Sequence, residues 1–235
     1  MLKISRQPSG DPEIFLSVQG EGNTVGIPTA FLRLAMCNLS CSWCDTKYTW
    51  DWENHDQDTN TMEMSGDQVT DAISVFNCHR LVITGGEPLL QQKELAPLTT
   101  SLRQLGYAIE VETNGTLPPS GEMKEAVSQW NVSPKLANSS NPHDGRLASL
   151  AIESFQQMDC AYFKFVLVAQ QDVAEVESLV NEYAIRRDRV ILMPEGTTAS
   201  EVSNRSDWVA QLCVEHGFRY SPRLQISLWG NARGR

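Results

Sequence analysis

The sequence contains no apolar run long enough to cross a lipid bilayer, and Met1–Arg6 lacks the apolar stretch of a secretory signal peptide. We therefore expect a cytoplasmic protein with no membrane partner. Basic residues are also scarce, because 19 Lys and Arg stand against 29 Asp and Glu and the formal net charge is −10. This balance disfavours a nucleic-acid partner, whose binding surface usually carries a basic patch, and favours action on a small molecule.

Internal repeats, low-complexity segments and linker-like stretches are absent too, so we interpret the 235 residues as one domain spanning 1–235. Short apolar segments alternate with amphipathic segments at a spacing of ~25 residues, which indicates parallel β–α units. About six strands fit this length, too few for a closed eight-stranded barrel. We predict an α/β fold, namely a partial, open (β/α) barrel with a mostly parallel sheet of about six strands.

Three of the six cysteines lie within eight residues, where Cys37, Cys41 and Cys44 form the pattern C-x3-C-x2-C. A structural zinc site takes four protein ligands and most 4Fe–4S clusters take four cysteines, yet no fourth cysteine follows nearby. Three thiolates in one loop could hold a cluster and leave one iron open for a further ligand. A zinc knuckle or simply buried thiols remain the alternatives on this pattern alone.

Polar or glycine-rich segments follow several predicted strands, at the end of the strand where β–α units carry catalytic groups. Gly85-Gly86-Glu87-Pro88 follows the strand Leu81–Thr84, and its glycines allow a ligand to approach the backbone. Similar segments later in the chain are Thr113-Asn114-Gly115, Ser133-Pro134-Lys135 and Pro194-Glu195-Gly196. On spacing alone Lys135 is a surface lysine, and the Asn-, Ser- and Pro-rich stretch 137–145 is a candidate mobile lid.

One cation, Arg33, interrupts the apolar strand Thr29–Leu34 four residues before Cys37. A buried arginine needs an anionic partner. That partner is either a carboxylate of the protein itself or an anionic substrate.

The cysteine spacing resembles that of the radical S-adenosylmethionine (SAM) enzymes, and Gly85-Gly86-Glu87-Pro88 resembles the element by which those enzymes hold the amine of SAM. The chain resembles the 7-carboxy-7-deazaguanine synthases almost from end to end. The segments that carry this resemblance are Gln19-Gly20-Glu21-Gly22, Cys44-Asp45-Thr46, Ser133-Pro134-Lys135 and Leu228-Trp229-Gly230-Asn231. The resemblance implies a radical SAM carbon–nitrogen lyase that converts 6-carboxy-5,6,7,8-tetrahydropterin to 7-carboxy-7-deazaguanine with release of ammonia. This reaction is a step toward queuosine and related deazapurines.

The resemblance also implies three cofactors and their residues. A 4Fe–4S cluster would be held by Cys37, Cys41 and Cys44, and a Mg²⁺ ion by Thr46. The substrate would contact Val18, Gln19, Gly20, Glu21, Arg33, Thr84, Gln225 and the C-terminal Arg235. SAM would contact Trp43, Cys44, Asp45, Gly86, Glu87, Glu112, Ser133, Pro134, Lys135, Pro194 and Glu195. A homodimer and an electron donor such as flavodoxin or ferredoxin are further implications.

One position departs from the family, because many members carry His where this chain has Gln225. Glutamine exchanges hydrogen bonds but does not titrate near neutral pH, so we expect Gln225 to orient the substrate. A glycyl-radical-enzyme activase is the alternative enzyme, since it shares the cysteine spacing, but it would not need Thr46 as a metal ligand. A small zinc-binding interaction module is the non-enzymatic alternative, and it leaves Gly85-Gly86-Glu87-Pro88 without a purpose.

Overall fold

A computed structural model describes all 235 residues and shows one ten-stranded sheet flanked by helices. The strands are β1 (Leu2–Ser5), β2 (Ile14–Val18), β3 (Pro28–Leu34), β4 (Thr61–Met64), β5 (Arg80–Gly85), β6 (Ala108–Thr113), β7 (Gln129–Val132), β8 (Ala161–Leu167), β9 (Val190–Pro194) and β10 (Arg219–Tyr220). The helices are α1 (Gln57–Asn60), α2 (Gly66–Ser74), α3 (Gln92–Gln104), α4 (Gly121–Ala126), α5 (His143–Arg146), α6 (Ser149–Gln156), α7 (Asp172–Glu182), α8 (Ala199–His216) and α9 (Leu224–Trp229).

The strand order is β10-β9-β8-β7-β6-β5-β3-β1-β4, and β2 also pairs with β3. From β3 to β10 every neighbouring pair is parallel. The pairs β1–β3, β1–β4 and β2–β3 are antiparallel. The terminal strands β4 and β10 do not pair with each other, so the sheet does not close. The predicted α/β architecture, open and mostly parallel, is confirmed.

The strand count differs from the expected number of about six. The added strands β1, β4 and β10 are four, four and two residues long. In the sequence β4 belongs to a polar stretch that favours a loop, and it becomes a strand because β1 supplies a pairing edge along Thr61–Met64. Pairing between distant segments decides such short strands, since their own composition does not.

The core is one cluster of 39 buried apolar residues that runs from Leu2 to Phe218 and joins one face of the parallel strands to the helices. The single-domain interpretation of 1–235 stays a prediction. Local signals mark the helix ends. Ser65 and Gln68 form a capping box at the start of α2, and Gly217 ends α8 at a φ of 68°. None of the helices combines the length and the apolar character that a membrane crossing requires.

Candidate active site

The carboxyl ends of the parallel strands surround a cavity of about 420 Å³. Parallel strands deliver their carboxyl ends to one edge of a sheet, so the segments that follow β3, β5, β6 and β7 converge there. The cysteine loop follows β3, and the segments beginning at Gly85, Thr113 and Ser133 follow the other three strands. The sequence therefore brings residues separated by about a hundred positions into one site.

Most predicted site residues line this cavity. All the predicted substrate residues do so: Val18, Gln19, Gly20, Glu21, Arg33, Thr84, Gln225 and Arg235. All the predicted metal ligands do so as well: Cys37, Cys41, Cys44 and Thr46. Of the predicted SAM residues, Trp43, Cys44, Asp45, Gly86, Glu112, Ser133, Lys135 and Glu195 line the cavity, whereas Glu87, Pro134 and Pro194 do not.

The three loop cysteines are free thiols, and each sulfur lies near an N–H donor. The donor–sulfur distances are 3.5 Å from the Leu39 amide to Cys37, 3.2 Å from Asn141 Nδ2 to Cys41 and 3.3 Å from Trp50 Nε1 to Cys44. N–H groups directed at cysteine sulfurs stabilise thiolates and tune iron–sulfur clusters. The donor set therefore fits a cluster with three protein ligands.

Burial raises the pKa of Cys37 to about 12 and also raises the pKa of Cys41. Both thiols are protonated at neutral pH as the chain stands, so metal binding would release their protons. No three Cys, His, Asp or Glu side chains are already gathered into a metal-binding group. The loop thus supplies the right donor atoms without a preassembled coordination geometry.

The segment predicted as a mobile lid packs against the cysteine loop. Asn141 Oδ1 accepts a 2.9 Å hydrogen bond from the amide of Ser40, and the carbonyl of Asn138 accepts a 3.1 Å bond from Trp43 Nε1. Asn141 is buried and also donates to the sulfur of Cys41. This segment supports the loop that carries the thiols.

The two glycines after β5 are required by the cysteine loop itself. A Cβ on Gly85 would overlap the carbonyl of Leu34, and a Cβ on Gly86 would overlap the carbonyl of Met36. Gly85 has a φ of 120°, which favours glycine, and Met36 has a left-handed φ of 75°. The absence of a side chain at these glycines therefore leaves room for the backbone at the end of β3 and at the start of the cysteine loop.

Glu87 lies behind the cavity wall, fully buried. Its carboxylate accepts hydrogen bonds from the amide of Leu89 (2.9 Å), from Thr113 Oγ1 (2.8 Å) and from the amide of Asn114 (2.6 Å). Asn114 in turn donates from Nδ2 to Asn38 Oδ1 at 2.9 Å. Glu87 thus joins the ends of β5 and β6 to the cysteine loop, and its acceptors face protein donors rather than a ligand.

A network of opposite charges forms one side of the cavity. Lys164 Nζ lies 2.6 Å from Glu21 Oε2 and 2.9 Å from Glu112 Oε2. The other oxygen of Glu21 accepts bonds from Arg223 Nε at 3.1 Å and from Gln225 Nε2 at 2.7 Å. Burial acts to raise the pKa of Glu21, but the two cations outweigh it and hold the pKa well below its usual range. Glu21 is therefore a fixed anion whose two oxygens accept hydrogen bonds from three side chains, those of Lys164, Arg223 and Gln225.

Gln225, the residue that departs from the family pattern, contacts the protein on both sides of its amide. An ionised Glu21 can only accept, which sets the NH₂ group of Gln225 toward it. The amide oxygen is then buried without a partner, and a Cβ on Gly20 would overlap it. Gln225 therefore holds α9 against the turn at Gly20, and the expected contact with substrate stays a prediction.

Arg33 has a partner in the protein and also faces the cavity. Its Nε lies 2.9 Å from Oε1 of the fully buried Glu13, which also accepts a 3.1 Å hydrogen bond from the hydroxyl of Tyr48. The two terminal nitrogens of Arg33 make no hydrogen bond to the protein. A structural carboxylate thus anchors one edge of the guanidinium, and the other edge is available to an anion in the cavity.

Lys135 is a cavity residue rather than a surface lysine. Its Nζ donates to the carbonyl and the hydroxyl of Ser133 at 2.8 and 2.9 Å, and it lies 5.9 Å from the centre of the Trp43 ring. The turn after β7 folds the side chain back over the strand end, a direction that the spacing of charges in the sequence does not show.

Four charged residues of the site were not singled out by the sequence, namely Glu13, Lys164, Arg223 and Arg233. Lys164 carried a signal, since it interrupts the apolar strand β8 as Arg33 interrupts β3. Glu13 and Arg223 carried none, because each lies in a mixed segment at the margin of an element. Both are buried, so only the fold shows that their charges point inward.

Comparisons with known proteins show which family this chain is similar to. A family model described as a 4Fe-4S single cluster domain matches residues 18–130. The 7-carboxy-7-deazaguanine synthase of Pyrobaculum aerophilum is 41% identical over 225 residues, which cover 95% of this chain and 96% of that protein. The enzyme of the same name from Halobacterium salinarum is 37% identical and covers 94% of this chain and 90% of that protein.

Solved structures show the same fold. QueE from Escherichia coli superposes with a TM-score of 0.70 at 24% identity, covering 95% of this chain and 94% of that one. Streptococcus suis SuiB bound to S-adenosylmethionine superposes with a TM-score of 0.51 at 13% identity, covering 82% of this chain and 47% of that one. Given the identity to curated relatives over nearly the full length of both chains, this protein belongs to the 7-carboxy-7-deazaguanine synthase family.

Proposed function

We propose that this protein is a radical SAM 7-carboxy-7-deazaguanine synthase, which converts 6-carboxy-5,6,7,8-tetrahydropterin to 7-carboxy-7-deazaguanine and ammonia. One observation supports this function above the others. The three loop thiols and all the residues expected to contact the pterin line the same cavity. A site for radical chemistry requires this arrangement, since the reactive group must lie beside the substrate and away from water.

Cys37, Cys41 and Cys44 would hold a 4Fe–4S cluster, with SAM beside it along Trp43, Gly86, Ser133 and Lys135. When bound there, the cluster and SAM supply one-electron chemistry that removes a hydrogen atom from the substrate. Lys135 would offer its ammonium to the carboxylate of SAM, while Ser133 holds that ammonium in place. Glu87, Pro134 and Pro194 would act through the backbone they position, because none of them lines the cavity.

The pterin would lie between β2, β3 and the C-terminal segment. The free edge of Arg33 would pair with an anionic part of the substrate, in the bidentate manner that guanidinium groups favour. Val18, Gln19, Gly20 and Thr84 would contact the ring system, and the C-terminal carboxylate at Arg235 would accept from its N–H groups. Glu21 is neutralised by Lys164 and Arg223, so it would shape this wall without repelling the substrate carboxylate.

Thr46 would hold a Mg²⁺ ion, which would supply positive charge for the substrate carboxylate. Thr46 lines the cavity, and its hydroxyl lies 3.6 Å from the sulfur of Cys44. Mg²⁺ takes oxygen ligands, keeps several waters and commonly binds through few protein groups together with an anionic substrate. One threonine hydroxyl and a substrate carboxylate agree with that preference.

We further propose a cytoplasmic homodimer that receives electrons from a flavodoxin or a ferredoxin. The remaining cysteines, Cys78, Cys160 and Cys213, are free and do not line the cavity, so the chain carries no second cysteine group for an internal relay. An external one-electron donor would therefore reduce the cluster.

Anaerobic turnover of the reconstituted enzyme tests the proposed function. SAM, a reductant, Mg²⁺ and 6-carboxytetrahydropterin are supplied, and the products are analysed by mass spectrometry. We expect 7-carboxy-7-deazaguanine without net loss of SAM. Cleavage of SAM to 5′-deoxyadenosine with no deazaguanine would refute the substrate assignment and favour an activase.

Thr46→Ala tests the metal site, and Thr46→Ser is its matched control because it keeps the hydroxyl. We expect the alanine variant to need at least about tenfold more Mg²⁺ for half-maximal activity, since a metal ligand is lost, and the serine variant to resemble the wild type. Equal Mg²⁺ dependence in all three proteins would exclude Thr46 as a ligand.

A further inference from the structure

Arg223 is a buried arginine between β10 and α9, and it contacts three separate parts of the cavity wall. Its Nε donates to Glu21 Oε1 at 3.1 Å, its Nη2 donates to Asp45 Oδ2, and its Nη1 donates to the carbonyl of Gly196. In sequence Glu21 is 202 residues away and Asp45 is 178 residues away. One side chain thus joins the turn after β2, the cysteine loop and the segment after β9.

The geometry of this contact depends on arginine. A guanidinium is planar and directs the N–H groups of its three nitrogens in fixed, different directions. A lysine ammonium carries its charge and all its N–H groups on a single nitrogen. A buried guanidinium is also retained only if its donors are satisfied, and here all three nitrogens have an acceptor. Moving any one of the three partners would leave a buried N–H group of Arg223 without its acceptor, so the partners hold one another in a single arrangement.

Asp45 lies between the proposed cluster ligand Cys44 and the proposed Mg²⁺ ligand Thr46. Its only ion pair in the structure is with Arg223. Glu21, by contrast, has Lys164 as a second cation and Gln225 as a further donor. Loss of Arg223 would therefore release Asp45 completely but leave Glu21 partly held. The position of the substrate wall relative to the cysteine loop would no longer be determined by a direct bond.

We propose that Arg223 is a positioning residue, which fixes the distance between the substrate wall at Glu21 and the cysteine loop at Asp45. This inference rests on the proposed function of the cavity. Arg223 sets where the substrate carboxylate and its Mg²⁺ ion lie relative to the cluster, and it acts through its carboxylate partners.

The test compares Arg223→Gln, Arg223→Lys and Asp45→Asn in the reconstituted holoenzyme. We expect Arg223→Gln to raise KM for 6-carboxytetrahydropterin and the half-maximal Mg²⁺ concentration by about 10- to 100-fold, as the loss of a group that orients metal ligands does. Arg223→Lys should be only partly active, because a single ammonium cannot reach three partners in three directions.

A double variant separates positioning from general stability. Arg223→Gln combined with Asp45→Asn should raise KM by much less than the product of the two single effects, because both changes break the same contact. Additive effects, or a KM unchanged in Arg223→Gln, would overturn the proposal. Asp45→Asn and Arg223→Lys keep the test decisive if Arg223→Gln fails to fold.

Arg187→Gln is the matched control. Arg187 is more exposed than Arg223 and bonds one carboxylate, that of Glu177 at 2.7 Å, and one carbonyl, that of His216 at 2.7 Å, and it lies away from the cavity. We expect this variant to lower the melting temperature without changing KM. If it shifted KM as much as Arg223→Gln does, the effect would be one of stability alone and the inference would be wrong.

Hydrogen–deuterium exchange gives a readout that does not depend on turnover. Amides near Asp45 and in α9 should exchange faster in Arg223→Gln than in wild type, and those in α7 should not. If exchange is faster in Arg223→Gln but the wild type produces no deazaguanine, the proposed function is refuted. The contact of Arg223 with Asp45 and Glu21 would still be supported. Unchanged exchange would refute the link whatever the wild type produces.

Discussion

Replacing Glu87 with glutamine should destabilise the protein strongly although Glu87 does not line the cavity. Its Oε1 accepts from the Leu89 amide and from Thr113 Oγ1, and its Oε2 accepts from the Asn114 amide at 2.6 Å. An amide offers only one acceptor oxygen, so at least the bond from Asn114 is lost and a buried N–H then faces an NH₂ group. A hydrogen bond to a charged group contributes about 1.5–3 kcal/mol, and an unsatisfied buried donor costs about 1–3 kcal/mol.

We expect the free energy of unfolding to fall by about 2–4 kcal/mol, because removal of the buried charge offsets part of these losses. For a chain of this size, a loss of about 3 kcal/mol lowers Tm by about 6–12 °C. The assay is anaerobic urea denaturation followed by circular dichroism. The control is Glu94→Gln in the first turn of α3, where the side chain is exposed and the change should stay within about 0.5 kcal/mol. Equal stability of the two variants would show that the three bonds to Glu87 are not what holds the ends of β5 and β6.

Three further predictions concern the cavity wall. Gly86→Ala should prevent stable cluster incorporation, measured as iron per chain, because its Cβ would overlap the Met36 carbonyl at the start of the cysteine loop. Gly20→Ala should raise KM for the pterin, and the additional change Gln225→Ala should restore part of the loss, since the new Cβ would overlap the Gln225 amide. The pKa of Glu21 is held below its ordinary value of 4.5, so its contribution to stability is complete above that pH and is lost as the pH falls below it. Unfolding free energies measured from pH 7 downward should therefore fall less steeply in Glu21→Gln than in wild type, and parallel curves would contradict the assignment.

Local patterns were sufficient for much of the fold. The apolar segments Thr29–Leu34 and Leu81–Thr84 predicted β3 and β5, and the alternation of apolar with amphipathic segments predicted the parallel β–α units. Such signals depend on neighbours in sequence, so they survive without tertiary information. The sequence did not predict the strands β1, β4 and β10, because each is short and is defined by the strand it pairs with.

In the candidate site too, some features follow from the local sequence and others only from the fold. Cys37, Cys41 and Cys44 lie in one loop, and their spacing is visible in the sequence as a resemblance to the radical SAM enzymes. The directions of Glu87 and Lys135 could not be read in that way. Glu87 turns behind the wall because three buried donors surround it, and Lys135 folds toward Ser133 because the turn after β7 directs it there.

The sequence by itself indicated the class of chemistry through its resemblance to a known family, since the thiol spacing and the glycine-rich strand ends that carry this resemblance are local properties of the chain. It also determined the layered α/β architecture, because hydrophobic periodicity dictates which faces are buried. Only the tertiary structure decided which charges meet. Arg223 contacts Asp45 and Glu21 from nearly the other end of the chain. A buried charge is tolerated only beside its partners, and partners so distant in sequence are chosen when the strands pack.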